Sequence, residues 1–305
     1  MTIKALWDFG KAELSQAGIS DAHWQAEVLL RFVTGLSRAS LLTHPGRTIS
    51  EQEVARYREA LRERALGLPL QYIVGQTEFF GREFRVTPAV LIPRPDTETL
   101  VEEALRLLRT ESISHIAASS TMCQVPSAKC APPALLDLCT GSGCVGLTLA
   151  AEAPELTMWL ADVCAGALTV AADNAAKLGV SARVRLRPGD LFAAVEGMRF
   201  WMITANPPYI PSGEIHTLAD EVQREPRLAL DGGEDGLAYY RRIASESTHF
   251  LYPGGWLLLE VGSTQAEAVQ TFLRAAHFTE TFVRQDLAGR DRVVGGRLPL
   301  DTNPL

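Results

Sequence analysis

The tetrapeptide Asn206-Pro207-Pro208-Tyr209, continued by Ile210-Pro211, follows an apolar run, Phe200-Trp201-Met202-Ile203, that reads as a buried strand. Consecutive prolines fix their own φ and offer no N–H, so the strand must end there in a stiff, extended turn. Such a turn presents the Asn206 side chain and the Pro207 carbonyl as hydrogen-bond acceptors, with Pro208 and the Tyr209 ring beside them. Two acceptors and a flat ring suit a planar –NH2 group. Asn206, Pro207 and Tyr209 are therefore the candidate catalytic residues, and with Pro208 they form the candidate substrate site. The plainer alternative is a proline-rich loop that merely ends a strand.

A second constellation lies upstream. Leu135-Leu136-Asp137-Leu138-Cys139-Thr140-Gly141-Ser142-Gly143 reads as a strand, a glycine-rich turn and the start of a helix. The glycines let backbone approach a ligand closely, and the helix N-terminus behind them favours an anionic group. Asp162 follows Gly141 by 21 residues, at the end of the next strand, where a carboxylate can accept both hydroxyls of a ribose. The turn reads Cys139-x-Gly141-x-Gly143 rather than Gly-x-Gly-x-x-Gly. Asp137 adds a carboxylate that would repel a pyrophosphate but welcome an amino group. S-adenosylmethionine fits both features. Asp190, in Gly189-Asp190-Leu191-Phe192, ends the following strand and could accept from an adenine amine. The candidate cofactor set is thus Asp137, Cys139, Thr140, Gly141, Ser142, Gly143, Asp162, Asp190 and Leu191, joined by Asn206 from the other turn. Each acid alone reads as a cap or a solvated group. Three at successive strand ends do not.

The elements that must position these residues follow from periodicity. Residues 3 to about 66 read as helices: Leu6, Phe9 and Leu14 share one face, Asp21 is a candidate cap for a helix bearing Trp24, Val28, Leu29 and Phe32, and Ser50 with Glu53 forms a capping box. Phe79-Phe80 and Phe84-Arg85-Val86 flank Gly81-Arg82 as a β-hairpin, and Pro88, Pro93 and Pro95 stiffen the path to a helix from about Asp96 or Thr97 to Arg109. Residues 110–133 read as an irregular surface insertion. Strands over 134–139, 156–161, 182–187, 200–204 and 255–261 then alternate with helices over 145–152, 165–178, 236–251 and 264–275, and strands near 278–284 and 292–296 finish the chain. The expected fold is α/β: a doubly wound, mostly parallel sheet with a small N-terminal helical domain and a linking β-hairpin. The expected domains are residues 1–68 (helical), 69–95 (hairpin linker) and 96–305 (the domain carrying the chemistry, with the 110–133 insertion).

Composition narrows the class. The chain has 305 residues, 47% hydrophobic and 21% charged, as in ordinary globular proteins, and a net charge of −7 that argues mildly against gripping a nucleic-acid backbone. Met1 to Gly10 lacks the apolar core of a signal peptide, and no apolar run approaches membrane-spanning length. The five cysteines lack metal-ligand spacing and read as reduced cytosolic thiols, so no metal and a cytoplasmic location are expected.

Gly141-x-Gly143, Asp162 and Asn206-Pro207-Pro208-Tyr209 together resemble class I, Rossmann-like, adenosylmethionine-dependent methyltransferases acting on planar amino groups. Three further stretches narrow the resemblance. They are Pro69-Leu70-Gln71-Tyr72-Ile73-Val74-Gly75 leading to Glu78-Phe79-Phe80-Gly81, then Val90-Leu91-Ile92-Pro93-Arg94-Pro95-Asp96-Thr97-Glu98, then Glu225-Pro226-Arg227-Leu228-Ala229-Leu230-Asp231-Gly232-Gly233-Glu234-Asp235-Gly236-Leu237. With them the chain resembles the HemK/PrmC family, the peptide chain release factor glutamine methyltransferases, over nearly all its length except residues 110–133. The departures are Cys139 for the first motif glycine, Trp201 for an Asp before the Asn-Pro-Pro-Tyr turn, and Cys164 for a helix-capping Ser. The resemblance implies S-adenosylmethionine as cofactor, a helical domain that recognises a class I release factor, and the glutamine of its GGQ loop as methyl acceptor. It implies no direct nucleic-acid partner and no membrane, and a monomer is expected. No catalytic carboxylate or histidine is expected, with His216 and His249 read as structural or exposed. Two alternatives stand beside this reading: another planar acceptor (a ribosomal-protein glutamine or a nucleic-acid amine), and a ribose-cofactor module without catalysis.

Overall fold

The computed structural model describes residues 1–110 and 134–300. The insertion expected over 110–133 lies, apart from Thr110, outside the described residues. The chain forms two compact units: Met1–Gln76 with Ala219–Arg224, and Thr77–Leu218 with Glu225–Leu305.

The first unit is helical: α1 (Ile3–Gln16), α2 (Ala22–Thr34), α3 (Arg38–Thr43), α4 (Glu51–Ala65) and α5 (Leu70–Val74). Its core packs Ile3, Leu6 and Leu14 against Leu29, Leu30 and Tyr57. The Tyr57 hydroxyl donates to the Ala26 carbonyl at 3.0 Å, so its buried polar tip is satisfied. Gly10 is required here, because a Cβ would strike the Tyr57 hydroxyl. The Ser50–Glu53 capping box is present. Asp21, by contrast, makes no side-chain cap: its left-handed backbone, φ 53°, departs from the extended geometry that aims a capping carboxylate at the first turn. Trp24 and Phe32 stay largely exposed, and α2 buries Ala26, Leu29, Leu30 and Val33 instead.

The second unit opens with a hairpin of β1 (Gln76–Phe79) and β2 (Arg82–Arg85). The turn falls on Phe80 and Gly81, both at positive φ, one residue earlier than expected. A short 3-10 turn, Pro95–Thr97, leads into α6 (Glu98–Thr110). The sheet then winds through β3 (Ala134–Leu138), α7 (Cys144–Glu152), β4 (Thr157–Asp162), α8 (Ala165–Lys177), β5 (Val184–Pro188), β6 (Phe200–Ala205), α9 (Ala238–Glu246), β7 (Leu251–Glu260), α10 (Ala266–Ala275), β8 (Thr279–Gln285) and β9 (Asp291–Arg297). Strand order is β5-β4-β3-β6-β7-β9-β8, parallel except for the pairs made by β9. Both sheet faces are covered, which is why the strands read as continuous apolar runs. Leu135, Met158, Met202 and Leu258 pack under α6, α7 and α8, whereas Leu136, Ile203, Leu257 and Leu259 pack under α9 and α10.

One expected boundary moves. The helix expected to run to Leu251 ends at Glu246, a 3-10 turn covers Ser247–His249, and β7 begins at Leu251 rather than Gly255. Leu251 pairs with Phe200 across a bulge, so Tyr252-Pro253-Gly254 sits inside an irregular strand rather than before one. Chain order reverses about β3, with β4 and β5 on one side and β6 and β7 on the other. Such a switch point leaves a crevice beyond the carboxyl ends of β3 and β6, the usual ligand site of an open α/β sheet. Among the described residues, no helix is long and apolar enough to cross a membrane.

Candidate active site

Beyond β3 the chain turns through Cys139, Gly141 and Gly143, all at positive φ. A Cβ on Gly141 would meet nothing within 4 Å, whereas one on Gly143 would lie 2.7 Å from Leu147 Cδ1. Gly141 therefore opens onto the crevice, and Gly143, the N-cap of α7, leaves room for the Leu147 side chain and for Ala171 of α8. The Asp162 carboxylate holds the turn from the side: Gly141 N–H donates to Oδ2 at 2.9 Å and Cys164 N–H to Oδ1 at 2.8 Å. Burial raises the Asp162 pKa and these two bonds oppose the rise. Each oxygen keeps a further lone pair for a ligand hydroxyl.

Asp137 is 2% exposed and sits under the same turn. Thr140 Oγ1 donates to it at 2.6 Å, Thr204 Oγ1 at 2.8 Å and Gly146 N–H at 3.2 Å. Burial lifts its carboxyl to about 6 despite those bonds. Ser142 Oγ is buried and has no hydrogen-bond partner, an acceptor or donor left for a ligand. Asp190 forms a two-pronged ion pair with Arg242 at 2.8 and 3.3 Å, so an adenine amine would share that carboxylate rather than own it. Cys164 occupies the N-cap of α8 without a side-chain cap bond.

β6 delivers Asn206 next to this turn, since Leu138 and Ala205 are paired neighbours in the parallel ladder. The Asn206 amide turns its Nδ2 towards Thr97 Oγ1, 3.4 Å away. The Asn-Pro-Pro-Tyr turn is propped from the 225–237 loop. Ile210 N–H donates to Leu230 O, Gly232 N–H to Ile210 O, and Gln265 Nε2 to Tyr209 O at 3.0 Å. Glycine is needed where this loop crosses the turn: a Cβ on Gly232 would lie 2.7 Å from Tyr209 Cα, and one on Gly236, φ +72°, would strike the Tyr209 carbonyl. Glu225 fastens the other end of the loop, pairing with Arg94 and accepting from Ile92 N–H at 2.9 Å.

These elements enclose a cleft with about 1040 Å³ of empty space, its open mouth included. Of the residues expected from sequence, Asp137, Cys139, Thr140, Gly141, Ser142, Asp162, Asp190, Leu191, Asn206 and Pro208 line it. Gly143, Pro207 and Tyr209 do not. Tyr209 packs instead with the apolar cluster under α9 and α10, and burial raises its phenol pKa. His216 and His249 are exposed and off the cleft wall.

The structure adds residues that spacing did not single out. Thr97, Arg94 and Tyr239 line the cleft. Asn174 donates to Ser142 O at 2.9 Å and to the Arg85 carbonyl and accepts from the Arg85 backbone N–H, fastening the hairpin to the glycine turn. Glu260, last residue of β7, is 2% exposed. Its signal was present: it is a fourth acid at the end of a parallel strand, like Asp137, Asp162 and Asp190.

Comparison with known proteins agrees along the whole chain. Residues 5–75 match the model of the PrmC N-terminal domain, and residues 118–234 that of the methyltransferase small domain. The chain is 40% identical over 298 residues to the release factor glutamine methyltransferase of Geobacter sulfurreducens, with 97% of each chain covered. It is 42% identical over 287 residues to that of Cereibacter sphaeroides, covering 94% of this chain and 95% of the relative. Among solved structures, the catalytic domain of hMettl16 in complex with MAT2A 3'UTR hairpin 1 superposes with a TM-score of 0.55 at 13% identity over 92% of each chain, a likeness of fold alone. Relatives this similar over nearly the full length settle the family: the chain belongs to the release factor glutamine methyltransferases.

Proposed function

We propose that this enzyme transfers a methyl group from S-adenosylmethionine to the side-chain amide nitrogen of the GGQ-loop glutamine of a class I peptide chain release factor. The observation that carries the reading is the meeting of two turns at the sheet's switch point. Asp162 and the glycine turn face Asn206 and Pro208 across one cleft. The cleft fits the cofactor: Gly141 opens onto it, Asp162 has lone pairs for ribose hydroxyls, and the orphaned Ser142 Oγ awaits a partner.

S-adenosylmethionine supplies, when bound, a methyl group activated by its sulfonium. The chain's task is to orient the acceptor. An amide nitrogen is a poor nucleophile, because its lone pair is delocalised into the carbonyl. Asn206 Oδ1 and the Pro207 carbonyl accept its N–H groups and aim the nitrogen into the cleft, and both bonds strengthen as positive charge grows there. Tyr209, packed under α9 and α10, supports the turn from behind in this reading, and Pro208 lines the cleft beside Asn206. The product proton leaves to water.

The helical unit is the candidate for release-factor recognition. What supports it is its compactness as a separate body and its match to the PrmC N-terminal domain. Modification of a translation factor belongs in the cytoplasm, and a monomer is the state proposed. The test is methyl transfer from labelled S-adenosylmethionine to intact release factor, ribosomal protein and DNA in parallel. Label on release factor alone, on the glutamine side chain, is expected. Equal or greater label on another acceptor would overturn the assignment.

A further inference from the structure

Glu260 is a costly residue that the fold does not need. It follows Leu257-Leu258-Leu259 and precedes Val261, all fully buried, so an aliphatic side chain would suit the strand. Its own carbonyl is used, accepting from the Tyr240 hydroxyl at 2.9 Å. The side-chain Oε2 is buried with no hydrogen-bond partner. The nearest cation is committed elsewhere: Arg292 pairs with Asp96 at 3.0 Å and Asp286 at 3.2 Å and also donates to the Val261 carbonyl. A buried carboxyl with one oxygen unsatisfied is costly, which points to a role outside stability.

The polar side chains that stabilise its charged form are Thr97 and Asn206, and the parallel pairing of Ala205 with Leu259 brings Asn206 and Glu260 out at adjacent strand ends. Asn206 Nδ2 also reaches Thr97 Oγ1. A side-chain amide has two arms of similar size, and a turn of about 180° exchanges donor for acceptor. The orientation required by the reaction puts Oδ1 towards the substrate amide and Nδ2 away from it. We propose that Glu260, with Thr97 as relay, is the positioning residue that fixes this orientation by accepting from Asn206 Nδ2. The proposal rests on the reading of Asn206 as acceptor. A negative charge behind Nδ2 also polarises the planar amide, making Oδ1 a stronger acceptor for the N–H of the reacting nitrogen.

The carboxylate form is the one that works. Protonated, Glu260 can donate to Asn206 Oδ1 and pull the amide the wrong way round. Burial lifts this carboxyl to about 7, against hydrogen bonds from Thr97 and Asn206 and the charge of Arg292. The other titratable groups facing it are Asp96 before α6, Tyr209 in the proline turn, Tyr240 on α9 and the Cys144 thiol at the start of α7. The rate should therefore fall as pH drops through about 7. Asp137, raised to about 6, acts through cofactor binding and adds no limb to the rate at saturating cofactor.

The test is single-turnover methyl transfer to release factor at saturating S-adenosylmethionine, as a function of pH. Glu260→Gln should slow the step about ten- to a hundredfold, leave cofactor affinity nearly unchanged, and abolish the limb near pH 7. Combined with Asn206→Ala, it should slow the reaction no further than Asn206→Ala alone. A wild-type rate in Glu260→Gln, additive losses in the double variant, or a retained limb near pH 7 would each overturn the proposal while leaving Asn206 as the acceptor. A wild-type rate in Asn206→Ala would instead remove the reading beneath it. Should Glu260→Gln fail to fold, Thr97→Val and Thr97→Ser decide. Thr97→Val should lose rate with cofactor affinity kept, and Thr97→Ser should recover most of that loss. Equal rates in the two would sink the relay.

Discussion

The two sides of the cleft are built by opposite means. On the proposed cofactor side, the carboxylates at the glycine turn are held mainly by their own surroundings in the chain: Asp162 accepts from Cys164, two residues on, and from Gly141, 21 residues back. Asp137 takes two of its three bonds from the turn and helix that directly follow it. On the acceptor side, Asn206 leans on Thr97, 109 residues away, and Tyr209 on Gln265, 56 residues away. The first kind of site closes with the local strand–turn–helix unit. The second exists only when distant parts of the sheet have assembled. Binding of cofactor and orientation of acceptor should therefore be separable by single substitutions.

The largest separation is expected from Asn206→Ala. It removes an acceptor felt most as charge develops on nitrogen, a loss of about 2.7–4 kcal/mol, or roughly a hundred- to a thousandfold in single-turnover rate. Cofactor affinity, measured by calorimetry, should change far less, because the glycine turn and Asp162 stay in place.

Asp162→Ala should do the converse on a smaller scale. Losing the proposed charge-assisted bond to the ribose costs about 1.5–3 kcal/mol, weakening S-adenosylmethionine binding about ten- to a hundredfold. Unchanged calorimetric affinity would sink Asp162 as the ribose acceptor.

The smallest effect sharpens the comparison within the turn itself. Cys139 stands at φ 54°, a conformation glycine adopts freely and cysteine does not. Cys139→Gly should relieve the strain and raise stability by about 1 kcal/mol in denaturant unfolding. A drop in stability would mean that thiol packing in the cleft outweighs the backbone strain.

The same contrast governs what could be read from the sequence. Asp137, Gly141 and Asp162 were legible because their partners lie within one strand–turn–helix–strand unit of regular spacing. Asn206 was legible because consecutive prolines stop a strand in only one way. Thr97 and Gln265 were not, since no local rule says which distant side chain will prop a turn. Asp190 announced itself as a strand-end acid, but its partner Arg242 lies 52 residues away, and so the sharing of its carboxylate was hidden. Glu260 obeyed the rule that picked out the other acids and was passed over, because Leu257-Leu258-Leu259 reads as core. In the fold, strand–helix alternation implied a doubly wound sheet, whereas the early start of β7 depended on a bulge opposite Phe200. Asp21 failed as a cap because its backbone is left-handed, which residue type alone does not reveal.

The most direct measurement sets Asn206→Ala and Asp162→Ala side by side, recording calorimetric affinity for S-adenosylmethionine and the single-turnover rate of methyl transfer to release factor at saturating cofactor. The account predicts a crossed result: Asn206→Ala binds nearly as wild type and transfers slowly, and Asp162→Ala binds weakly and recovers most of its transfer rate once saturated. Affinity and rate falling together in both variants, or near-wild-type transfer in Asn206→Ala, would contradict it.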